Sequence, residues 1–319
     1  MTTAPTFADI RIAETRIAGH VHRTPILTSR EINAAAGCRI LFKCENFQRT
    51  GAFKARGAFN AVLALSSEEA ARGVVTHSSG NHAAALALAA RERGIPAHVV
   101  MPNTAPHPKK AAVASYGGRI VECEPTLAAR LAAADAIVAQ TGAALIPPFD
   151  SRMVAAGQGT VALELIADAN EPLGAILCPV GGGGLLAGTL VAAAELLPDV
   201  PVIGTEPLAA NDAARGFRLG ALQPQVLPVA TVADGLSTAM SEMTFGVMRA
   251  MARDVVTVSE TAIVAAMRLI WSRMKIIVEP SSAVPLAAIL EGAWRPAGGA
   301  VGMILTGGNV DLERLPWTR

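Results

Sequence analysis

Short β-rich runs alternate with longer alanine-rich runs along this chain, and few folds accept that alternation. Residues 73–76, 97–101 and Arg119–Cys123 read as strands, and the helical patterns after them cover Asn81–Arg93, about 108–115 and about 127–140. The strands begin about 22 to 24 residues apart, the length of a compact strand-and-helix unit. A helix between successive strands is the crossover that parallel pairing needs, so the expected class is α/β with helices laid on parallel strands. A second series follows: 175–178 runs into four glycines and a helix, 202–204 is another strand, and 302–305 is the last. The block 73–146 therefore reads as a small domain inserted into a large one made of 1–72 and 147–319.

Composition narrows the partners. Hydrophobic residues make up 51% of the 319, charged residues 17%, and the net charge is +1, with no basic run to meet nucleic acid. The apolar stretch 83–90 falls far short of the roughly 20 residues that cross a bilayer. The first residues carry Asp9, Arg11 and Glu14 where a secretory signal has an apolar centre. Cys38, Cys44, Cys123 and Cys178 form no CxxC pair, so neither a zinc site nor a disulfide framework is expected. These features suggest a cytoplasmic protein with a small-molecule partner, no nucleic acid and no membrane.

The stretch GAFKARG, residues 51–57, sets Lys54 among small and apolar residues. Burial disfavours an ammonium, and the neutral amine is a nucleophile able to form a Schiff base. A lysine snorkelling from the start of a buried helix is the plainer reading. Three loops fall beyond the carboxyl ends of strands, where open α/β sheets bind ligands. His77-Ser78-Ser79-Gly80-Asn81-His82 offers hydroxyls, an amide and N–H groups at a helix start, suited to an anion; the alternative is that Ser79 or Asn81 is an N-cap. Gly181, Gly182, Gly183 and Gly184 let the backbone approach a phosphate at the next helix start, although no GK[ST] follows and no acidic residue marks a dinucleotide site. Leu305-Thr306-Gly307-Gly308-Asn309 places the Thr306 hydroxyl at a strand end. A buried lysine, a phosphate cradle and a strand-end hydroxyl share one explanation, pyridoxal 5'-phosphate.

With FKCENFQRTGAFKARGA, HSSGNHAAA, AGQGT, PVGGGGLLAGT and LTGGNVDL in that order, the chain resembles the serine/threonine dehydratase and serine racemase family from about residue 17 to 312. These are the fold-type II (tryptophan synthase β-like) pyridoxal-phosphate enzymes. The resemblance implies an α/β fold of two open, twisted, mostly parallel sheets flanked by helices. It implies that Lys54 carries the cofactor as a Schiff base, and that Phe53 and Asn81 flank its ring, Asn81 reaching the phenolic oxygen. Gly181 to Gly184 would hold the phosphate and Thr306 would meet the pyridine nitrogen. Substrate contacts would fall on Ser78, Ser79, His82 and Arg130, with Ser79 as the acid/base opposite Lys54. A solvated helix arginine is the alternative for Arg130. Where the family often has serine and glutamine, and some racemases histidine, this chain has Ala52, Ala84 and Pro147, which removes polar groups from the expected substrate region.

A neutral threonine does not keep the pyridine protonated as an aspartate would, which favours quick loss of a β-hydroxyl after the α-proton leaves. The implied reaction is dehydration of serine, threonine or 3-hydroxyaspartate to a 2-oxo acid and ammonia. Racemisation of serine or aspartate is the rival, and a non-catalytic carrier or amino-acid sensor is a third reading. Glu206 and Asp212, with the carbonyl of Ala210 between them, are hard oxygen ligands suited to Mg²⁺ or Ca²⁺. The matching positions in the racemase branch hold a metal; two unrelated acids in a solvated loop is the alternative. A homodimer is the family expectation.

Overall fold

The computed structural model describes residues 3–318. Ten strands run in chain order as β1 (Ile26–Leu27), β2 (Ile40–Cys44), β3 (Val74–Thr76), β4 (Ala97–Pro102), β5 (Arg119–Cys123), β6 (Ala144–Leu145), β7 (Leu173–Pro179), β8 (Val202–Pro207), β9 (Asp254–Val258) and β10 (Ala300–Leu305). They form a six-stranded sheet, β1-β2-β10-β7-β8-β9, and a four-stranded sheet, β5-β4-β3-β6. Every pairing is parallel except that of the short edge strand β1 with β2. Among the described residues, no helix is long and apolar enough to cross a membrane.

Residues alternate faces along a strand, so a strand that is apolar throughout must be covered on both sides. In the central strands Ala175, Leu177, Val301, Met303 and Leu305 face one core, under helices Glu260–Met274 and Pro280–Leu290. Ile176, Cys178, Ala300 and Ile304 face the other, under helix Gly184–Leu196. The four-stranded sheet uses only residues between 74 and 145. Its core extends outside that block, because Val74, Leu86 and Ala90 pack with Ala55, Ala58, Phe59 and Val62 of helix Lys54–Ala64. That helix also crosses helix Arg152–Asp168 at close range: a Cβ on Gly157 would lie 2.6 Å from the Gly57 Cα. Only glycine permits this approach.

The close crossing leaves charge inside. Arg56 is fully buried, and its Nε and Nη2 donate to the two oxygens of Glu45 at 2.8 Å each. Its Nη1 and Nη2 donate to the two oxygens of Glu164 at 2.7 and 2.8 Å. Lys43, the last residue but one of β2, donates from Nζ to Glu164 Oε2 at 2.6 Å and to the Thr24 carbonyl at 2.7 Å. Burial opposes the charge on Arg56, but Glu45 and Glu164 outweigh it and raise its pKa. Burial likewise opposes ionisation of Glu164, and its bonds to Arg56 and Lys43 prevail and lower its pKa. Two cations and two anions cancel. Removing one member strands the others, at a cost of about 3–5 kcal/mol for a broken buried pair. Arg56→Met is therefore expected to lose stability of that order in chemical denaturation. A midpoint corresponding to less than about 1 kcal/mol of loss, the level of an exposed pair, would show that the cluster is dispensable.

Candidate active site

Lys54 is the first residue of helix Lys54–Ala64, and the chain before it is held by a strand-like pairing. Phe53 N–H donates to the Thr306 carbonyl at 3.0 Å, Gly308 N–H donates to the Gly51 carbonyl at 2.9 Å, and Ala52 bridges Gly307. Gly51 has φ +72°, and a Cβ there would lie 2.6 Å from Asn309 Oδ1, so the turn favours glycine. The pairing sets Lys54 beside the loop after β10. Its Nζ donates to the Pro148 carbonyl at 2.8 Å and lies 5.1 Å from the centre of the half-buried Phe53 ring. Burial pushes the ammonium down to about 8, with Glu279 pulling the other way. A helix start is itself positive and disfavours a cation further.

Thr306 is buried, its Oγ1 3.1 Å from Ser282 Oγ. Ser282 Oγ donates to the Gly307 carbonyl at 2.7 Å and accepts from Gly307 N–H at 2.8 Å. Asn81 is the first residue of helix Asn81–Arg93, after β3. Its Nδ2 donates to both oxygens of Glu279, at 3.1 Å each, and its Oδ1 accepts from Asn309 Nδ2 at 2.9 Å. Neither Ser79 nor Asn81 is the N-cap. Gly80 holds that place, without a side-chain cap bond, which leaves the Ser79 hydroxyl free of that duty. Ser78 Oγ accepts from Gly80 N–H at 3.4 Å. His82 is buried with Nε2 3.0 Å from the Ile146 carbonyl and Nδ1 without a partner. Burial first, and then Lys54, pull it down to about 3, so it is a neutral imidazole whose Nε2–H donates.

The four glycines leave β7 and enter helix Gly184–Leu196. Gly183 has φ +84°, and a Cβ there would lie 2.4 Å from Met240 Cε; on Gly182 it would lie 2.3 Å from the Phe149 ring. Close packing alone thus demands glycine at both. Among the described residues, no protein acceptor meets the N–H of Gly181, Gly182, Gly183 or Gly184. Phe149 follows Pro148, the acceptor of Lys54, so the loop and the amine share a wall.

Arg130 is less closely tied. It lies in the first turn of helix Leu127–Thr141 with its Nε buried and unpartnered, so it is not a freely solvated arginine. Burial first, and then its charge, lower the pKa of His77. Among the described residues, no hydrogen bond joins it to the group around Lys54. Glu206 and Asp212 are not in a solvated loop either. Glu206 lies in β8 and Asp212 starts helix Asp212–Leu219, and both are buried, as is Ala210 between them. Glu206 accepts from the N–H groups of Ala213 and Ala214 at 3.1 and 2.9 Å; Asp212 Oδ2 accepts from Met240 N–H at 3.2 Å, and its Oδ1 has no partner. Burial pushes Glu206 up to about 8 and Asp212 above the usual carboxylate range. Met240, which touches this pair, also backs Gly183.

Two features escape a reading of the sequence. One is Glu279, buried and pushed up by burial to about 7, whose bonds to Asn81 make it part of the site. The other is a cavity of about 870 Å³ beside Asn81, lined by Thr50, Ala84, Lys109, Tyr116, Asp234 and Arg314 among others. It adjoins the Lys54 site and contains neither Lys54 nor the glycine loop.

The geometry agrees with what the chain is similar to. Residues 17–307 match the family model described as "Pyridoxal-phosphate dependent enzyme", and the chain belongs to that family. It is 48% identical to the β-hydroxyaspartate dehydratase of Paracoccus denitrificans, over 98% of this chain and 99% of that protein. The serine racemase structure from Dictyostelium discoideum superposes with a TM-score of 0.92 at 46% identity, covering 97% of this chain and 99% of that one. The maize serine racemase structure superposes with a TM-score of 0.95 at 42% identity, covering 97% of this chain and 95% of that one. The two mostly parallel sheets are those of this fold, as the motifs implied. Within the family the chain is an enzyme of the pyridoxal-phosphate-dependent ammonia-lyase and racemase group.

Proposed function

We propose that the protein is a dehydratase that converts a β-hydroxy amino acid (serine, threonine or 3-hydroxyaspartate) to a 2-oxo acid and ammonia. The observation that carries this reading is Lys54, a half-buried amine that donates to a neutral carbonyl, beside a glycine loop whose four N–H groups meet no acceptor among the described residues. These residues fit pyridoxal phosphate: Gly181 to Gly184 would hold its phosphate, Phe53 would flank the ring, Asn81 would meet the ring oxygen and Thr306 the ring nitrogen. When bound, the cofactor supplies an electron sink for the substrate's α-carbon. Lys54 Nζ would take the α-proton, and the burial that pushes its ammonium down to about 8 favours the neutral amine this task needs. Ser78, Ser79 and the start of helix Asn81–Arg93 would offer donors for the substrate carboxylate, with the neutral His82 and Arg130 as further substrate contacts. Loss of the α-proton and the β-hydroxyl gives water and an enamine, whose hydrolysis yields the 2-oxo acid and ammonia.

Racemisation is the second reading, favoured by one observation: Ser79 caps nothing. Inversion needs a proton donor on each face of the α-carbon, and Ser79 would serve opposite Lys54. Residues 73–146 would form a small domain on a large one of 1–72 and 147–319, and a separate sheet supports that division. A homodimer is the expected assembly. Four free cysteines suit a cytoplasmic location.

We also propose that Glu206, Asp212 and the Ala210 carbonyl bind a divalent cation, Mg²⁺ or Ca²⁺. Two adjacent buried acids, one oxygen without a partner, are a costly arrangement unless something neutralises them. The ion would brace Met240 behind Gly183.

Three outcomes are expected. A panel of L- and D-hydroxy amino acids should give 2-oxo acid with at least one, and Lys54→Ala should lose roughly 10²–10⁴-fold or more in turnover. An inert panel, or cofactor linked by borohydride to a different lysine, would remove the dehydratase reading. Ser79→Ala should lose inversion by a similar roughly 10²–10⁴-fold while keeping dehydration of the L-substrate; unchanged inversion would exclude Ser79 as the second acid/base. For the cation, Glu206 has a folded pKa raised from 4.5 to about 8, so its contribution is full below 4.5 and lost as pH rises through about 8. Thermal stability of the cation-free protein should therefore fall across that window, and added Mg²⁺ or Ca²⁺ should restore it most at the alkaline end. If Glu206→Gln responds to cation as the parent does, the ion is not there.

A further inference from the structure

Glu279 is a buried carboxylate bonded directly to Asn81, and neither reaction above gives it a task. It is buried at the N-cap of helix Pro280–Leu290, its own N–H donating to the Gly307 carbonyl at 2.9 Å. A Cβ on Gly307 would lie 2.8 Å from its Oε1, so it is wedged against the loop that carries Thr306. Asn81 Nδ2 stands 3.1 Å from each of its oxygens. The two hydrogens of an amide diverge by roughly 120°, so an NH₂ equidistant from both oxygens of one carboxylate points a single hydrogen between them. The second hydrogen points elsewhere.

The other side of the Asn81 amide is also settled. Asn309 Nδ2 directs one hydrogen to the Thr50 carbonyl at 2.7 Å and the other to Asn81 Oδ1 at 2.9 Å. An ionised carboxylate only accepts, so Asn81 must turn its NH₂ to Glu279 and its oxygen to Asn309. Both polar ends of the amide are then fixed, and one N–H is left over. Asn81 sits on the small-sheet side of the cleft; Thr50, Glu279 and Asn309 sit on the other, so the amide is oriented only while the two sides are together.

We propose that Glu279 is a positioning residue: it fixes which way the Asn81 amide faces, leaving one N–H to donate to the anionic ring oxygen of the bound cofactor. The inference rests on the reading that the cofactor lies between Lys54 and Asn81. Without the carboxylate, Asn81 can present its oxygen instead, and two acceptors would then face each other. Groups near enough to act on Glu279 by charge are Asp234, Lys109 and Lys54, which a direct electrostatic role would use in place of Asn81.

The test is a double-variant cycle on the holoenzyme, read on the alkaline side of neutrality, where Glu279 is ionised. Glu279→Gln keeps the shape but can donate or accept, so the orientation is no longer forced. It should shift the visible absorbance band of bound pyridoxal phosphate and weaken cofactor binding to the apo-protein about tenfold, the scale of one lost charge-assisted bond. In an Asn81→Ala background the same change should have almost no further effect on either readout. An unshifted band and unchanged affinity would overturn the inference, as would an equal effect in the Asn81→Ala background, which would mean that Glu279 acts on Lys54 directly. If Glu279→Gln does not fold, Glu279→Asp keeps the charge but is one methylene short of Asn81, so the amide is no longer held, and the band should shift the same way with about a two- to fivefold loss of affinity; no shift there overturns it equally. A parent protein with no borohydride-reducible link at Lys54 would remove the underlying reading as well, whereas a normal parent and an unchanged variant remove only this one.

Discussion

One guanidinium decides where Lys54 stands. Arg56 follows Lys54 by two residues, which is about 200° around a helix, so the side chains leave the helix on nearly opposite faces. Behind the helix Arg56 is bonded to Glu45 after β2 and to Glu164 on helix Arg152–Asp168, and Lys43 closes the cluster from within the sheet. In front, the amine meets Pro148 and Phe53. A buried charge network tolerates little displacement, because each ion is compensated for its lost water only while its partners stay in place. The helix is thus anchored on one face and presents the Lys54 amine on the other. The glycine contact between residues 57 and 157 makes this possible, since bulkier residues would hold Glu164 out of reach.

Four helices begin at the site: Lys54–Ala64, Asn81–Arg93, Gly184–Leu196 and Pro280–Leu290. Each brings the positive end of a helix dipole. Their combined field attracts anions, which is what a phosphate and an amino-acid carboxylate require. It also opposes an ammonium, adding to the burial that brings Lys54 down to about 8. Glu279 is the counterweight, and burial holds it near 7, so amine and carboxyl both sit within reach of neutral pH. The same arrangement that would recruit anions also disfavours the charged form of the Lys54 amine.

Much of this is legible in the chain itself. Strand β5 runs over the residues expected of it, and the helices after β3, β4 and β5 begin within a residue of theirs, because alanine-rich turns between β-branched runs leave little choice. The glycine loop and the residues around Lys54 are legible as local motifs. Strands β2 and β9 are not, since a lysine inside Ile40–Cys44 and an aspartate opening Asp254–Val258 imitate surface. Lys43 is excused by Glu164, which lies 121 residues away, and nothing near either residue announces the other. Glu279 is hidden for the same reason, its partner Asn81 being 198 residues distant. The available hint is a lone acid between an apolar run and Pro280-Ser281-Ser282 at a helix start. Local pattern reports what a residue's neighbours along the chain impose, whereas a buried ion is explained only by its neighbours in space.

The two interior lysines make the distinction concrete. Lys43 and Lys54 come from one motif, yet Lys43 Nζ is bonded to the Glu164 carboxylate and Lys54 Nζ only to a backbone carbonyl. An ion pair stabilises the ammonium and takes its lone pair out of use. A carbonyl can accept from the amine in either protonation state without holding it charged, so the proton is free to leave. Glu279 lies close enough to Lys54 to soften the desolvation, but its hydrogen bonds go to Asn81, which keeps it from becoming a second Glu164. Had that carboxylate bonded Lys54 directly, the amine would be held charged as Lys43 is. The Lys54 amine is left with a carbonyl partner because Glu279 is bonded to Asn81 instead.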